Sequence, residues 1–469
     1  MVGNLAHYQR IDDCLVLVAQ TCNRMSIKSW SVGYEIIRTY VRFAFWLTHQ
    51  SVVVTGRHYI PKGKPVIFAA NHQNALMDPL AVVCTNSLQT TWLARADIFK
   101  SKSAQSFLKY IKLLPIYRIR DGKDNLSNNE QIFEQVTHLL ENGQSIGLFP
   151  EAAHSGKRQM LPHKKAIPRI ALESEAKNNF NLKLQIVPVG IFYNHYWKFN
   201  RTLIVQYGEP IEVDRYREEY AENPQKAMLS LRDEIHDRIA PLTLQINSKT
   251  HYQEYENIRQ LTGKSFSGAH SFSKEKVLQL FYAEKELIAE IEKLENSTPE
   301  AFEKIVEETN LYFQEINENK LTDEQVESSG NTSWAKLIAR STAAVITLPV
   351  FAFGFLFNVI PFFVPRRIIR PKVKDIAFLS TFTFVSGLIV FPILYLIEAG
   401  LVVVFTGSIF ITLFTFILMP FAGKLAFNLL IFYQEIAQSI ATKIRHKSLL
   451  AQIIKKRTEL IGLIVRNIS

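Results

Sequence analysis

The sequence predicts an α/β domain with a largely parallel sheet flanked by helices, joined to a helical extension and a C-terminal α-helical membrane region. Three observations predict it. Short β-branched runs alternate with helix-like segments from Ser51 to about Gln206, residues 213–330 are charged and helical in pattern, and three long uncharged stretches follow. At 469 residues the chain is also too long for one ordinary core.

Residues 1–50 read as N-terminal amphipathic helices. Residues 28–50 place Ile, Val, Phe and Trp at mostly helical spacing, interrupted by Arg38 and Arg42. The charges break the apolar run, so this helix lies either in a membrane interface or on the domain core and does not span. The α/β domain covers residues 51–215. Its strands are the runs Ser51–Thr55, Pro65–Ala70, Thr90–Ala94, Ser145–Phe149, Leu184–Ile191 and Thr202–Tyr207, with helices such as Asn129–Glu141 and Ala166–Ala176 between them. Continuous apolar strands of this kind belong to parallel sheets covered on both faces. Residues 216–335 form a charged helical extension with no chemistry of its own.

Ser341–Pro365, Ile376–Ile397 and Ala399–Gly423 hold no charged residue over 25, 22 and 25 positions. Each exceeds the roughly 20 residues a helix needs to cross a bilayer core of about 30 Å. Residues 336–430 are therefore transmembrane or re-entrant helices, and 431–469 a basic amphipathic tail. Glu398-Ala399-Gly400 is short enough only for a tight hairpin between the second and third segments. Pro349, Asn358, Pro361 and Pro365 favour a re-entrant first segment. Arg366, Arg367, Arg370, Lys372 and Lys374 precede the hairpin, and Lys443, Arg445, Lys447, Lys455, Lys456 and Arg457 follow it. The positive-inside rule then predicts an integral membrane protein with its α/β domain on the cytoplasmic side. MVGNLAHYQRIDD lacks the features of a signal peptide, and three cysteines without a CxxC pair (Cys14, Cys22, Cys84) favour a reducing compartment over a disulfide framework or zinc site. Of the net charge of +11, all lies in the last 139 residues, which hold 15 Lys and Arg against 4 Asp and Glu. That split excludes a uniformly basic nucleic-acid binder and points to anchoring on an anionic leaflet, about 1 kcal/mol per cation.

Four features could carry chemistry. Asn71-His72 follows the strand PVIFAA and precedes Asp78-Pro79; a histidine at a strand's carboxyl end can take a proton from a hydroxyl while a carboxylate fixes its tautomer. The competing reading is a satisfied histidine in a helix cap. His7 and Asp12 show that spacing alone is poor support, since they form an H-x4-D pair with no strand before them. Leu114-Pro115-Ile116-Tyr117 leads into Arg118 and Arg120, whose planar forks suit phosphate oxygens. A third strand ends in Phe149-Pro150-Glu151 and continues through Ala152, His154 and Ser155 to the cations Lys157, Arg158, Lys164 and Lys165. Glu151 there can bind hydroxyls, orient a cation, or merely sit at a helix N-terminus. The fourth feature is Val187-Pro188-Val189.

In this order the four features resemble the motifs of the lysophospholipid/glycerolphosphate acyltransferase family over roughly residues 35–215. Its NH-x4-D motif is matched by Asn71, His72 and Asp78, and its Arg motif by Arg118 or Arg120. FPEGTRS is matched by Phe149, Pro150, Glu151 and Ser155, and the last motif by Pro188 between two valines. Five residues separate His72 from Asp78, which on a regular helix would rotate Asp78 by about 100°. H-x5-D-P resembles the subfamily acting on glycerol-3-phosphate or dihydroxyacetone phosphate, whose second motif favours Arg118. Ala152 and Ala166 replace glycines and His154 stands where arginine is common, so Lys157 or Arg158 is expected to supply the lost phosphate contact. The resemblance implies His72 as general base and Asp78 as its orienting acid. It also implies Arg118 and Arg120 on the acceptor phosphate, and Glu151 on glycerol hydroxyls. With no nucleophilic Ser or Cys in the motifs, transfer is expected without an acyl-enzyme. No metal or cofactor is expected. The partners are an acyl thioester donor (acyl-CoA or acyl-ACP), a glycerol-phosphate-type acceptor and membrane lipids, with no nucleic acid; the sequence sets no oligomeric state. Rival readings are an acyltransferase for lysophosphatidate or another lysolipid or aminolipid, a thioesterase, and a non-catalytic membrane scaffold.

Overall fold

A computed structural model describes residues 30–117, 128–331, 333–373, 375–445 and 447–468. Arg118, Arg120, His7, Asp12, Cys14, Cys22 and Lys374 therefore lie outside the described residues.

Helix α1 (Val32–Thr48) opens at Ser31, whose side chain accepts from the amide of Tyr34, and leads into strand β1 (His49–Thr55). The helix packs one face on the domain. Tyr34, Arg38 and Phe45 are buried on the domain, while Trp30, Ile36, Phe43 and Trp46 face outward. Arg38 is turned inward and satisfied by Glu35 and by the carbonyls of Ser87 and Leu88. The domain continues through β2 (Val66–Ala70), α2 (Met77–Thr85), β3 (Thr91–Arg95), α3 (Lys102–Tyr110), β4 (Leu113–Ile116) and α4 (Asn128–Glu141). It is completed by β5 (Ser145–Leu148), α5 (Ala166–Lys177), β6 (Gln185–Tyr193), β7 (Arg201–Tyr207), β8 (Ile211–Glu212), α6 (Arg217–Glu222) and α7 (Pro224–Ile239).

The strands form one sheet in the order β1-β7-β6-β2-β5-β3-β4, with β8 also paired to β6. Five pairings are parallel and two antiparallel. The β6–β7 pair is antiparallel because residues 194–200 are too few for a crossover and turn the chain back on itself. β2 and β6 are buried along their whole length, as strands covered on both faces must be. Ala227, Met228, Leu231, Ile235 and Ile239 of α7 pack in the same core as β2 and β5, so the α/β core runs past residue 215.

The helical extension is α8 (Tyr252–Ala269), α9 (Lys276–Ser297), α10 (Pro299–Glu318) and α11 (Asp323–Asn331). It shares a second core with Phe192 and Ile204 of the sheet. Three apolar helices follow, α12 (Trp334–Phe363), α13 (Leu379–Thr406) and α14 (Ile409–Arg445), and residues 334–372, 379–406 and 409–444 are each long and apolar enough to cross a membrane. α12 continues through Pro349 and Pro361 and changes only at a π-turn over Val364–Ile369. The expected hairpin at Glu398–Gly400 is corrected: α13 runs through it and ends at Gly407, which has φ 63° and caps the helix by donating to the Val403 carbonyl. One charge does not end a helix; a left-handed glycine does. α12 and α14 meet closely at small residues, where a Cβ on Gly354 would come within 2.4 Å of the Ala422 carbonyl.

The last helix, α15 (Lys447–Ile468), packs Ile453, Leu460 and Ile464 into the second core. Its cations are not all free for a leaflet. Arg457 pairs with Asp323 at 2.7 Å and Lys456 with Glu315 at 2.7 Å, so these two cations brace α15 on the extension.

Candidate active site

Sheet order gathers the motifs at one edge. The parallel neighbours β2, β5, β3 and β4 end respectively at Ala70, Leu148, Arg95 and Ile116, and Ala69 of β2 lies opposite Pro188 of β6. Chain direction is the same in all these strands, so their carboxyl ends share one rim, where ligands of such sheets gather.

At that rim the His72 Nδ1–H donates to Asp78 Oδ2 at 2.9 Å. The same oxygen accepts from the amides of Gln73 and Asn74, each at 2.7 Å, and Asp78 is fully buried in the first turn of α2. Three donors on one carboxylate oxygen fix the imidazole tautomer and leave Nε2 as the nitrogen available to a substrate. The extra residue of H-x5-D is absorbed before the helix begins. Ala75 adopts φ 41°, and α2 starts only at Met77, so His72 and Asp78 do not share a regular helix.

The His72 ring stacks on Phe149 at 4.0 Å, and His154 meets it edge-on at 5.4 Å. Burial, and next the nearby His72, hold His154 below the ordinary histidine range. Glu151 ties the first and third motifs together: Oε1 accepts from the His72 amide and Oε2 from the Leu161 amide, each at 2.8 Å. Burial pushes its carboxyl up to about 8, against the pull of those two amides. A raised carboxyl pKa contributes stability that is complete below the unfolded value and lost as pH rises towards 8. Glu151→Gln cannot titrate, so lowering the pH from 8 to 5 should raise the stability of wild type relative to Glu151→Gln. Chemical denaturation of both proteins across that range checks the sign.

Several expected substrate contacts prove to be internal. Asn71 donates through Nδ2 to the Ile191 carbonyl and accepts from the Ile191 amide at 2.7 Å, so it staples β2 to β6 rather than facing a ligand. Ser155 turns its hydroxyl to the carbonyls of Lys157 and Gln159. Lys164 is exposed and is held by its amide, which donates to the Pro150 carbonyl; Pro150 itself is buried. Pro188 lies between the stretches of β6 paired to β8 and to β7, where a missing N–H costs no ladder bond. Arg158 is buried, pairs with Glu256 at 2.7 Å and donates to the carbonyls of Tyr193 and Asn194. It cannot replace the missing arginine of the third motif. Lys157 sits over the Tyr252 ring.

One residue escaped the sequence reading. Arg95 ends β3 between the first and second motifs, at the same rim, and pairs with Asp97. Its signal was the run Thr-Trp-Leu-Ala-Arg, an apolar strand ending in arginine like the second motif. Ala152, at the glycine position of the third motif, has φ 58°. A non-glycine residue there is strained, so Ala152→Gly should stabilise the protein by up to about 1 kcal/mol, read as a raised melting temperature.

Residues 51–192 match the acyltransferase family model. This segment is similar to acyltransferase-family domains. Over 117 residues the chain is 31% identical to glycerol-3-phosphate O-acyltransferase 2 of Saccharomyces cerevisiae, covering 25% of this chain and 16% of that one. It is 27% identical over 139 residues to glycerol-3-phosphate O-acyltransferase 1 of the same yeast, covering 29% and 18%. With the 1-acyl-sn-glycerol-3-phosphate acyltransferase of Borreliella burgdorferi it shares 24% over 169 residues, covering 34% and 65%. The chain thus spans less than a fifth of the yeast relatives' length. The matched segment contains His72, Asp78, Glu151 and Pro188, while the extension and apolar helices lie outside the match.

Proposed function

We propose that the chain is a membrane-bound O-acyltransferase of phospholipid synthesis, moving a fatty acyl group from acyl-CoA or acyl-ACP to a hydroxyl of a glycerol-phosphate-type acceptor. The observation that carries this reading is the His72–Asp78 pair at the carboxyl rim of an acyltransferase-family sheet.

In the proposed reaction the His72 Nε2 takes the proton of the acceptor hydroxyl. That oxygen attacks the thioester carbonyl, the C–S bond breaks, and the departing thiolate takes the proton back from the imidazolium. Asp78 stabilises the transient charge. Arg118 and Arg120, which follow β4 in the sequence, would hold the acceptor phosphate; the Asn129 side chain bonds both the amide and the carbonyl of Tyr117, the last described residue before them. Glu151 would act by holding the His72 loop. The Ser155 hydroxyl, bonded within its own loop, is a poor candidate for an acyl carrier.

Membrane placement follows the same reading. The chain leaves the folded body at Trp334 and rejoins it through α15, so the apolar unit crosses a bilayer an even number of times. That parity supports a first apolar segment that does not complete a span, and the flanking cations support a cytoplasmic catalytic domain.

The test is transfer by the purified full chain in detergent, with labelled acyl-CoA or acyl-ACP against glycerol-3-phosphate, dihydroxyacetone phosphate and lysophosphatidate. Esterification of glycerol-3-phosphate or dihydroxyacetone phosphate is expected. Preference for lysophosphatidate would move the acceptor one step on, and no transfer with either donor would favour a scaffold.

A further inference from the structure

The apolar segment Ile376–Ile397 has no charged residue, as an anchor requires, yet three polar or aromatic side chains at its start point into the catalytic loops. The Leu76 amide, in the loop between His72 and Asp78, donates to Thr381 Oγ1 at 3.2 Å. The Ser380 hydroxyl donates to the Tyr196 carbonyl at 2.7 Å, and the same carbonyl accepts from Asn74 Nδ2 of that loop. Phe378 packs edge-on to His154 at 5.0 Å, and His154 packs edge-on to His72.

The amides of the loop can be followed one by one. His72 donates to Glu151, Gln73 and Asn74 to Asp78, Met77 to the Asn74 carbonyl and Asp78 to the Ala75 carbonyl. Leu76 donates to a membrane helix. Because Ala75 holds a left-handed backbone, the loop does not rest in a relaxed helical form of its own, and outside groups must keep it there. Glu151 holds the His72 end and Thr381 the end next to Asp78. A helix serving only as an anchor needs no hydroxyl at this place, since its own backbone bonds satisfy it.

We infer that Thr381 and Phe378 are positioning residues of the acyltransferase site, so that seating of α13 on the domain sets the His72–Asp78 geometry and makes activity depend on the docked apolar hairpin. This rests on the acyltransferase reading. With α13 unseated, the Leu76 amide loses its acceptor and the loop its second support. Displacement of about 1 Å in such a constellation costs up to roughly a hundredfold in rate.

The experiment compares wild type, Thr381→Val, Thr381→Ser and Phe378→Ala as full chains in detergent. Acyl transfer, thermal unfolding and the rate of diethylpyrocarbonate modification at His72, mapped by mass spectrometry, are measured in parallel. Thr381→Val, which keeps shape and loses the hydroxyl, should lower kcat about tenfold with donor KM unchanged and raise His72 modification several-fold; Phe378→Ala should also raise it. Thr381→Ser should restore both to within about twofold. An active wild type whose Thr381→Val variant matches it in kcat and His72 reactivity would overturn the inference. So would equal losses in Val and Ser variants that follow only a fall in melting temperature. A wild type with no transfer activity but a reactivity change in Thr381→Val would overturn the acyltransferase reading and leave the positioning role standing.

Discussion

His72→Ala should lower acyl transfer by about 10²–10⁴-fold while leaving the melting temperature close to wild type. The prediction follows from how the side chain is held. Its Nδ1 is bonded to Asp78, its face rests on Phe149, and its loop is fixed through backbone amides that alanine retains. Asp78→Ala should differ in kind. It would strand the amides of Gln73 and Asn74 in a buried place, at about 1–3 kcal/mol for each, so both activity and stability fall. Parallel kinetics and thermal unfolding of the two variants separate a catalytic role from a structural one.

Arg158→Ala should unfold the protein more readily by about 3–5 kcal/mol, among the largest stability losses expected of any single change. Arg158 is buried in a chain of alternating charges in which Glu256 pairs with both Arg158 and Arg259, and Arg259 pairs in turn with Glu284 at 2.7 Å. Removing the first cation leaves the Glu256 carboxylate half-neutralised and two backbone carbonyls, those of Tyr193 and Asn194, without a donor. Denaturant titration tests this directly. A variant that stayed stable but bound the acceptor poorly would instead return Arg158 to the substrate.

The contrast between these two residues shows what a sequence can and cannot disclose. His72 and Glu151 were legible because they follow the ends of β2 and β5 by two and three residues, and sheet order brings such ends together whatever their side chains do. Most strands were legible as apolar runs, β4 and β8 being the exceptions: β8 has only two residues, and β4, at four residues with a proline, read only as an apolar approach to arginine. Partners across long separations were not legible. Whether Arg158 meets phosphate or Glu256, and whether Asn71 faces solvent or Ile191, depends on residues about 100 positions away. The hairpin at Gly407 was misplaced for a simpler reason. A lone charge, Glu398, stands out in an apolar run, while a left-handed glycine leaves no mark on hydropathy.

The central claim is direct transfer assisted by His72. A rapid-quench single turnover with labelled acyl-CoA, with and without glycerol-3-phosphate, tests it most directly. Label should pass to the acceptor hydroxyl, none should be retained on the protein when acceptor is withheld, and His72→Ala should give no product on the same time scale. Label held covalently by the protein in the absence of acceptor, or undiminished transfer by His72→Ala, would contradict it.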